Sequence, residues 1–146
     1  MRGKNENSRW YPPYPMVGVG AVVVRDGKLL MVKRSKEPSK GKWSIPGGGV
    51  ELGETLDEAV VRETSEECSI KIEVEKLLDA TQNILRDKNG SVKYHFVIID
   101  FAGKYISGEA KAQSDAGECR WVPLKEITTL DVTSTLRDML VRNGVI

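Results

Sequence analysis

A single α/β domain is predicted by three features of the sequence. Two apolar, β-branched runs are split by Asp26-Gly27, a charged stretch of helical period covers Thr55 to Cys68, and a long apolar run covers Val92 to Gly103. Residues 1–15 are predicted to form an extended arm and residues 16–146 the one domain, since no linker or repeat divides the chain.

In chain order, Pro12, Pro13 and Pro15 forbid helix in the arm, and Trp10, Tyr11 and Tyr14 could pin it to the body. Met16 to Val24 and Lys28 to Arg34 then form a β-hairpin, because Asp26-Gly27 is a type I′ turn signal. Ser35 to Lys42 is a basic loop, followed by a short strand broken at Pro46 and by a glycine triplet, Gly47, Gly48 and Gly49, read as a loop. Thr55 is the expected N-cap of the helix, with Glu58 completing a capping box and Asp57 favourable to the dipole. Ile70 to Leu85 reads as interrupted strand, Asp87 to Gly90 as a turn, and Val92 to Gly103 as a strand buried on both faces. Cys119 to Val122 is a short strand, Pro123 opens a helical turn at its first position, and Thr133 to Arg142 closes the chain as a helix.

The 146 residues balance 22 Lys and Arg against 21 Asp and Glu, a net charge of +1. A nucleic-acid polymer or an anionic membrane would call for a basic surplus, so neither is an expected partner. A chain of this length buries roughly 70% of its unfolded surface, enough for one core without staples. Cys68 and Cys119 fit neither a disulfide framework nor a zinc site and read as free thiols, which points to a reducing, cytoplasmic compartment. The opening residues lack the apolar centre of a signal peptide.

The chemistry lies in the helix. With Leu56 at zero and 100° per residue, Ala59 falls at about −60° and Val60 at about +40°, Glu63 and Glu67 fall between them at about −20° and +20°, and Glu66 lies at about −80°. Carboxylates on a stripe that should be core demand a counter-charge, and an all-oxygen set suits a hard divalent cation, Mg2+ or Mn2+. The glycine triplet before the helix offers bare N–H groups, of Gly47 and Gly48 first, to phosphate oxygens. A metal-bound diphosphate is the ligand this combination describes. The charge sum supports it, because residues 51 to 67 hold seven acids and one base, while a basic loop from Lys33 to Lys42 lies upstream.

The stretch GGVELGETLDEAVVRETSEECSI, Gly48 to Ile70, resembles the signature of the Nudix hydrolases, with Gly48, Glu54, Arg62, Glu63, Glu66, Glu67 and Ile70 in their places. Two positions depart from it: Thr64 stands for an aliphatic residue, and Ser69 stands for a glycine suited to a left-handed helix end. Neither departure removes a charged group. The segments VGVGAVVVRDGKLLMVKR, GKWSIPGGGVELGE, YHFVIIDF and ECRWVPLKEI extend the resemblance over nearly the whole chain, most closely to small ADP-ribose pyrophosphatase-like members.

The resemblance implies an α/β/α sandwich around a mixed β-sheet, with the carboxylate helix on one side. It implies that Glu63, Glu66 and Glu67 hold Mg2+, with Glu118 a candidate further ligand or an ordinary strand-edge charge. Arg62 would orient Glu54 or a ligating glutamate. Arg34, at the end of the second strand, reads as a phosphate contact or as a solvated charge. Trp43 and His95, the only histidine, read as packing and wall residues. The expected activity is hydrolysis of a nucleoside diphosphate linked to another group, ADP-ribose first, giving AMP and ribose 5-phosphate. The alternatives are an oxidised nucleoside triphosphate of the 8-oxo-dGTP type, releasing pyrophosphate, and a sensor that binds nucleotide without hydrolysis. Because many relatives are dimers, the arm could reach a second subunit.

Overall fold

The computed structural model describes residues 9–113 and 116–146. The first eight residues of the arm lie outside them. Its strands are Met16–Arg25 (β1), Lys28–Arg34 (β2), Trp43–Ser44 (β3), Gly47–Gly49 (β4), Lys71–Arg86 (β5), Val92–Ser107 (β6) and Ala116–Pro123 (β7). The helices are Leu56–Cys68 (α1) and Ser134–Arg142 (α2), with a 3-10 helix at Leu124–Thr129. Pro123 caps that 3-10 helix from outside, so the sequence reading is one residue early. No helix among the described residues is long and apolar enough to cross a membrane.

The hairpin turn is of the predicted kind, with Asp26 at φ 51° and Gly27 at φ 72°. Past Val24↔Leu29 and Arg25↔Lys28, however, the two strands part company. β1 gives one edge to β6, in parallel from Met16↔Phe96 to Val23↔Gly103, and the start of its other edge to β4. β2 pairs with β3 and β7. The sheet is therefore mixed, with the order β3-β2-β1-β6-β5, β4 lying on β1 and β7 on β2.

Strand period 2 sends alternate residues of β1 to opposite faces, and both faces are covered. Val19, Ala21 and Val23 meet Ala59, Val60 and Cys68 of α1 together with Ile70 and Phe101. Val22 joins Leu29, Met31, Val122 and the α2 residues Leu136, Met139 and Leu140 on the other side. Helix–sheet–helix layering follows. The interrupted strand runs without a break over Lys71–Arg86, and its interruptions are shifts of register against β6. β7 begins three residues earlier than expected.

The described part of the arm lies on its own chain: Trp10 packs on Tyr94 at 5.7 Å between ring centroids, and the Tyr11 N–H donates to the Lys93 carbonyl at 2.9 Å. The Tyr11 hydroxyl also donates to Asp87 Oδ2 at 3.0 Å.

Candidate active site

α1 is set in rotation by its first turn. The Thr55 hydroxyl oxygen accepts from the Glu58 N–H at 3.1 Å, and the hydroxyl donates back to Glu58 Oε1 at 3.1 Å. Ala59, Val60, Thr64 and Cys68 are thereby buried, and Glu63 and Glu67 are half-buried between them. Thr64 is fully enclosed, which its hydroxyl tolerates by donating to the Val60 carbonyl at 2.7 Å. Ser69 takes the left-handed conformation that the missing glycine would have taken, at φ 59° and ψ 27°.

Arg62 is the hub of the acidic group. Its Nε and Nη2 fork onto Glu54 at 2.7 and 2.9 Å, and Nη2 also donates to the Gly49 carbonyl of β4 at 3.0 Å. Nη1 donates to Glu63 at 2.9 Å and to Glu66 at 3.2 Å, with Glu51 3.9 Å away. One guanidinium thus serves at least three carboxylates, and the cluster keeps an excess of negative charge. The Arg62 side chain is 22% exposed, Glu54 12%, Glu63 16% and Glu66 46%, so the pairing is tightest where water is scarcest. Its bond to Arg62 holds the Glu54 carboxyl below the usual range. Glu63 moves the other way: burial raises its pKa more than Arg62 lowers it.

Glycine makes this burial feasible. A Cβ on Gly48 would stand 2.6 Å from the Glu63 carboxyl carbon, so a side chain there would push the carboxyl out of the place where Arg62 holds it. A Cβ on Gly47 would collide with the Val19 carbonyl of β1. The triplet is therefore corrected from a phosphate-facing loop to strand β4, paired Gly18↔Gly49, Val19↔Gly48 and Gly20↔Gly47. None of the three has positive φ. The Gly47 N–H, expected to face phosphate, donates instead to Glu67 Oε1 at 3.0 Å. A sequence of glycines signals close approach equally well in a strand as in a loop, and the partner here is carboxylate.

The remaining candidates are dispersed. Arg34 Nε donates to the Pro38 carbonyl at 2.7 Å and so closes the basic loop it was expected to face. Trp43 is buried under the Arg120 guanidinium, 4.4 Å from its ring centroid. His95 is half-buried between Tyr94 and Phe96, whose rings stack at 5.0 Å on the other side of the strand. Glu118 is not brought to the α1 carboxylates. It is exposed opposite Lys33, and since Cys119 and Trp121 pack toward α1, alternation turns Glu118 to the other face.

One contributor to the site, and one buried acid on the opposite face of the sheet, escaped sequence reasoning. The Gly49 carbonyl, a backbone group, has no sequence signal at all. Asp100 did have one, as the lone acid inside VIIDF. It is 3% exposed, bonded by Thr81 Oγ1 at 3.2 Å, and burial pushes its pKa up to about 7. Gly20 opposite it again lacks the Cβ that would strike the carboxyl, at 2.6 Å.

A desolvated glutamate, an unbalanced acidic group and donors that are all oxygen fit a hard divalent cation. As they stand the carboxylates are directed by Arg62 and by Gly47. Among the described residues no three His, Cys, Asp or Glu side chains are already gathered about one point.

Comparison with known proteins agrees with this chemistry. The NUDIX domain family matches residues 14–142. The ADP-ribose pyrophosphatase of Methanocaldococcus jannaschii is 39% identical over 117 residues, 80% of this chain and 67% of that protein. Phosphatase NudJ of Escherichia coli K12 is 34% identical over 131 residues, 90% and 81% of the two chains. The crystal structure of a MutT NUDIX hydrolase from Burkholderia pseudomallei matches with a TM-score of 0.73 and 32% identity, covering 88% of this chain and 97% of that one. A phosphoanhydride hydrolase is the class that this fold and acidic helix define. The chain belongs to the Nudix family and is a pyrophosphatase acting on small nucleotide substrates, in a family that generally uses divalent metals.

Proposed function

We propose that this enzyme hydrolyses ADP-ribose to AMP and ribose 5-phosphate with Mg2+, or Mn2+ in its place, held by Glu63, Glu66 and Glu67. The observation that carries the assignment is the placing of Glu63 and Glu67 on the inward stripe of α1 against a glycine strand, with Glu63 paired to Arg62 and Glu67 held by the Gly47 N–H. The similarity to an ADP-ribose pyrophosphatase supports the choice of substrate.

Bound metal would neutralise the diphosphate oxygens and make an attacking water more acidic. The chain's own residues do the rest. Arg62 locks Glu54, Glu63 and Glu66 in one orientation, a positioning role. Gly48 leaves room for the Glu63 carboxyl beside β4, and the Gly47 N–H fixes the Glu67 carboxylate through one oxygen. Arg34, whose Nε already closes the basic loop on the Pro38 carbonyl, is kept as the proposed phosphate contact from the sequence reading alone. Water adds to one phosphorus, the bridging oxygen leaves with the other, and both products depart as monophosphates.

The test is a panel of ADP-ribose, NADH, diadenosine polyphosphates and oxidised dNTPs with Mg2+, read by product identity. AMP with ribose 5-phosphate is expected. Turnover confined to oxidised dNTPs, with release of pyrophosphate, would overturn the substrate, and binding without turnover would overturn the enzymatic reading for these compounds. Glu67→Gln keeps an acceptor for Gly47 but loses the charge, and should lower Mg2+-dependent turnover at least about tenfold. Full activity in that variant would remove Glu67 from the ligand set.

A further inference from the structure

Cys68 and Cys119 are distant in sequence but adjacent in the fold. Cys68 ends α1 and is fully buried. Cys119 lies on β7 opposite Val32, packed toward α1 in the same cluster. Cys119 is the neighbour that acts most strongly on the Cys68 thiol, which sets the two side chains against each other between α1 and β7, and neither is in a disulfide. Their access to solvent differs. Cys119 lines an open groove of about 590 Å3 with Arg25, Tyr105, Glu109, Arg120 and Trp121, whereas Cys68 is covered by the core. A small oxidant therefore meets Cys119 first and finds Cys68 directly behind it.

The end of α1 is also where the acidic site ends. Glu67 is the residue before Cys68. Its carbonyl accepts from the Gln113 N–H at 2.9 Å, the Cys68 carbonyl accepts from the Lys111 N–H at 3.0 Å, and its side chain accepts from Gly47. Ser69 continues the chain in a strained left-handed turn. Anything that draws on the Cys68 sulfur draws on the turn that positions Glu67.

We propose that Cys68 and Cys119 are an oxidisable pair which a hydroperoxide converts to an intramolecular disulfide, pinning the end of α1 to β7 and lowering turnover. The Cys119 sulfur takes one oxygen of hydrogen peroxide to become a sulfenic acid, and the other oxygen leaves as water. The Cys68 sulfur then attacks the Cys119 sulfur, the S–S bond forms, and the hydroxyl leaves as a second water. Two thiols lose two electrons and two protons, which the peroxide takes up, and a dithiol reverses the change. The bond closes the sulfurs to about 2.05 Å, well inside non-bonded contact, so the last turn of α1 must shift. The effect on turnover rests on the assigned role of Glu67, while disulfide formation does not.

The experiment treats the reduced full chain with hydrogen peroxide. The intact mass should fall by about 2 Da as two hydrogens leave. The two free thiols should disappear, and a peptide joining Cys68 to Cys119 should be recovered. Turnover on the best substrate of the panel should drop about tenfold, a displacement near 1 Å being costly in a positioned site. Dithiothreitol should restore it, which it would not do for oxidised methionine. Cys119→Ser, at a half-buried position, should show neither the mass loss nor the loss of turnover under the same treatment. Mass gained as sulfinic acid on Cys119 with Cys68 still free, or disulfides between chains, would overturn the pair. A cross-link with unchanged turnover would overturn its coupling to Glu67. Should no member of the panel be hydrolysed, mass and thiol content still decide whether the pair exists.

Discussion

The two helices that cover the sheet begin alike and bury different things. Each is capped by a threonine whose hydroxyl oxygen accepts from the N–H three residues on, Thr55 from Glu58 and Thr133 from Leu136. Each turns one face onto the same mixed sheet. On α2 that face is Leu136, Met139 and Leu140, and the strongest ionic tie is at its end, where Arg142 and Asn143 both donate to Asp79 Oδ2 at 2.8 Å. On α1 the face includes Glu63 and Glu67, and the ionic ties run through the middle. One layer holds the sheet together by apolar burial, and the other gives up some of that cohesion to keep carboxylates out of water.

The division can be broken from either side. Leu140→Ala should cost about 2–5 kcal/mol in urea unfolding while turnover per folded molecule stays unchanged. Loss of turnover there would mean that the α2 layer is also part of the catalytic apparatus.

Asp100, the buried carboxyl on the α2 face, sharpens the contrast. Burial raises its pKa from 3.8 to about 7, so the folded protein binds its proton more tightly than the unfolded chain. Its contribution to stability is fully present below about pH 4 and is lost as pH rises toward 7, on the order of a few kcal/mol. Asp100→Asn should abolish that decline relative to wild type when unfolding is measured across the window. A parallel pH dependence in both proteins would show that Asp100 does not titrate there.

On the α1 side, Arg62→Lys keeps a positive charge but loses the fork onto Glu54. Turnover should fall about 10- to 100-fold, roughly 1.4–2.7 kcal/mol of barrier, under steady-state assay with saturating Mg2+. Near-wild-type kcat would reduce Arg62 to a surface ion pair. Ser69→Gly should have the smallest effect, a gain of about 1 kcal/mol in thermal unfolding, because glycine takes φ 59° without a Cβ penalty.

How far the sequence could be read follows the same contrast. Local signals were sufficient for both helices and their caps, for the Asp26-Gly27 turn, and for the angular positions of Glu63 and Glu67, since each depends on neighbours within one or two turns of chain. The fate of the glycine triplet was not local. Whether Gly47–Gly49 forms loop or strand depends on β1 leaving its hairpin partner to receive it, and no residue of the triplet states that. Cys68 and Cys119 read as free thiols, which they are, yet their contact is made by packing across β7 and α1. Glu118 illustrates the limit for side chains: its spacing from Trp121 was legible, but the face it takes was set by the pairing of β7 with β2.

Strand β5 has one further bearing on the molecule's behaviour. At sixteen residues it forms an outer edge of the sheet, long enough to template another chain if it were flat. It slips register against β6 at four points and exposes Lys71, Glu73, Glu75, Lys76 and Arg86 along its length. Register slips and charge together interrupt the straight row of donors and acceptors that fibril growth requires, and they do so on a strand that also exposes Leu77, Ile84 and Leu85.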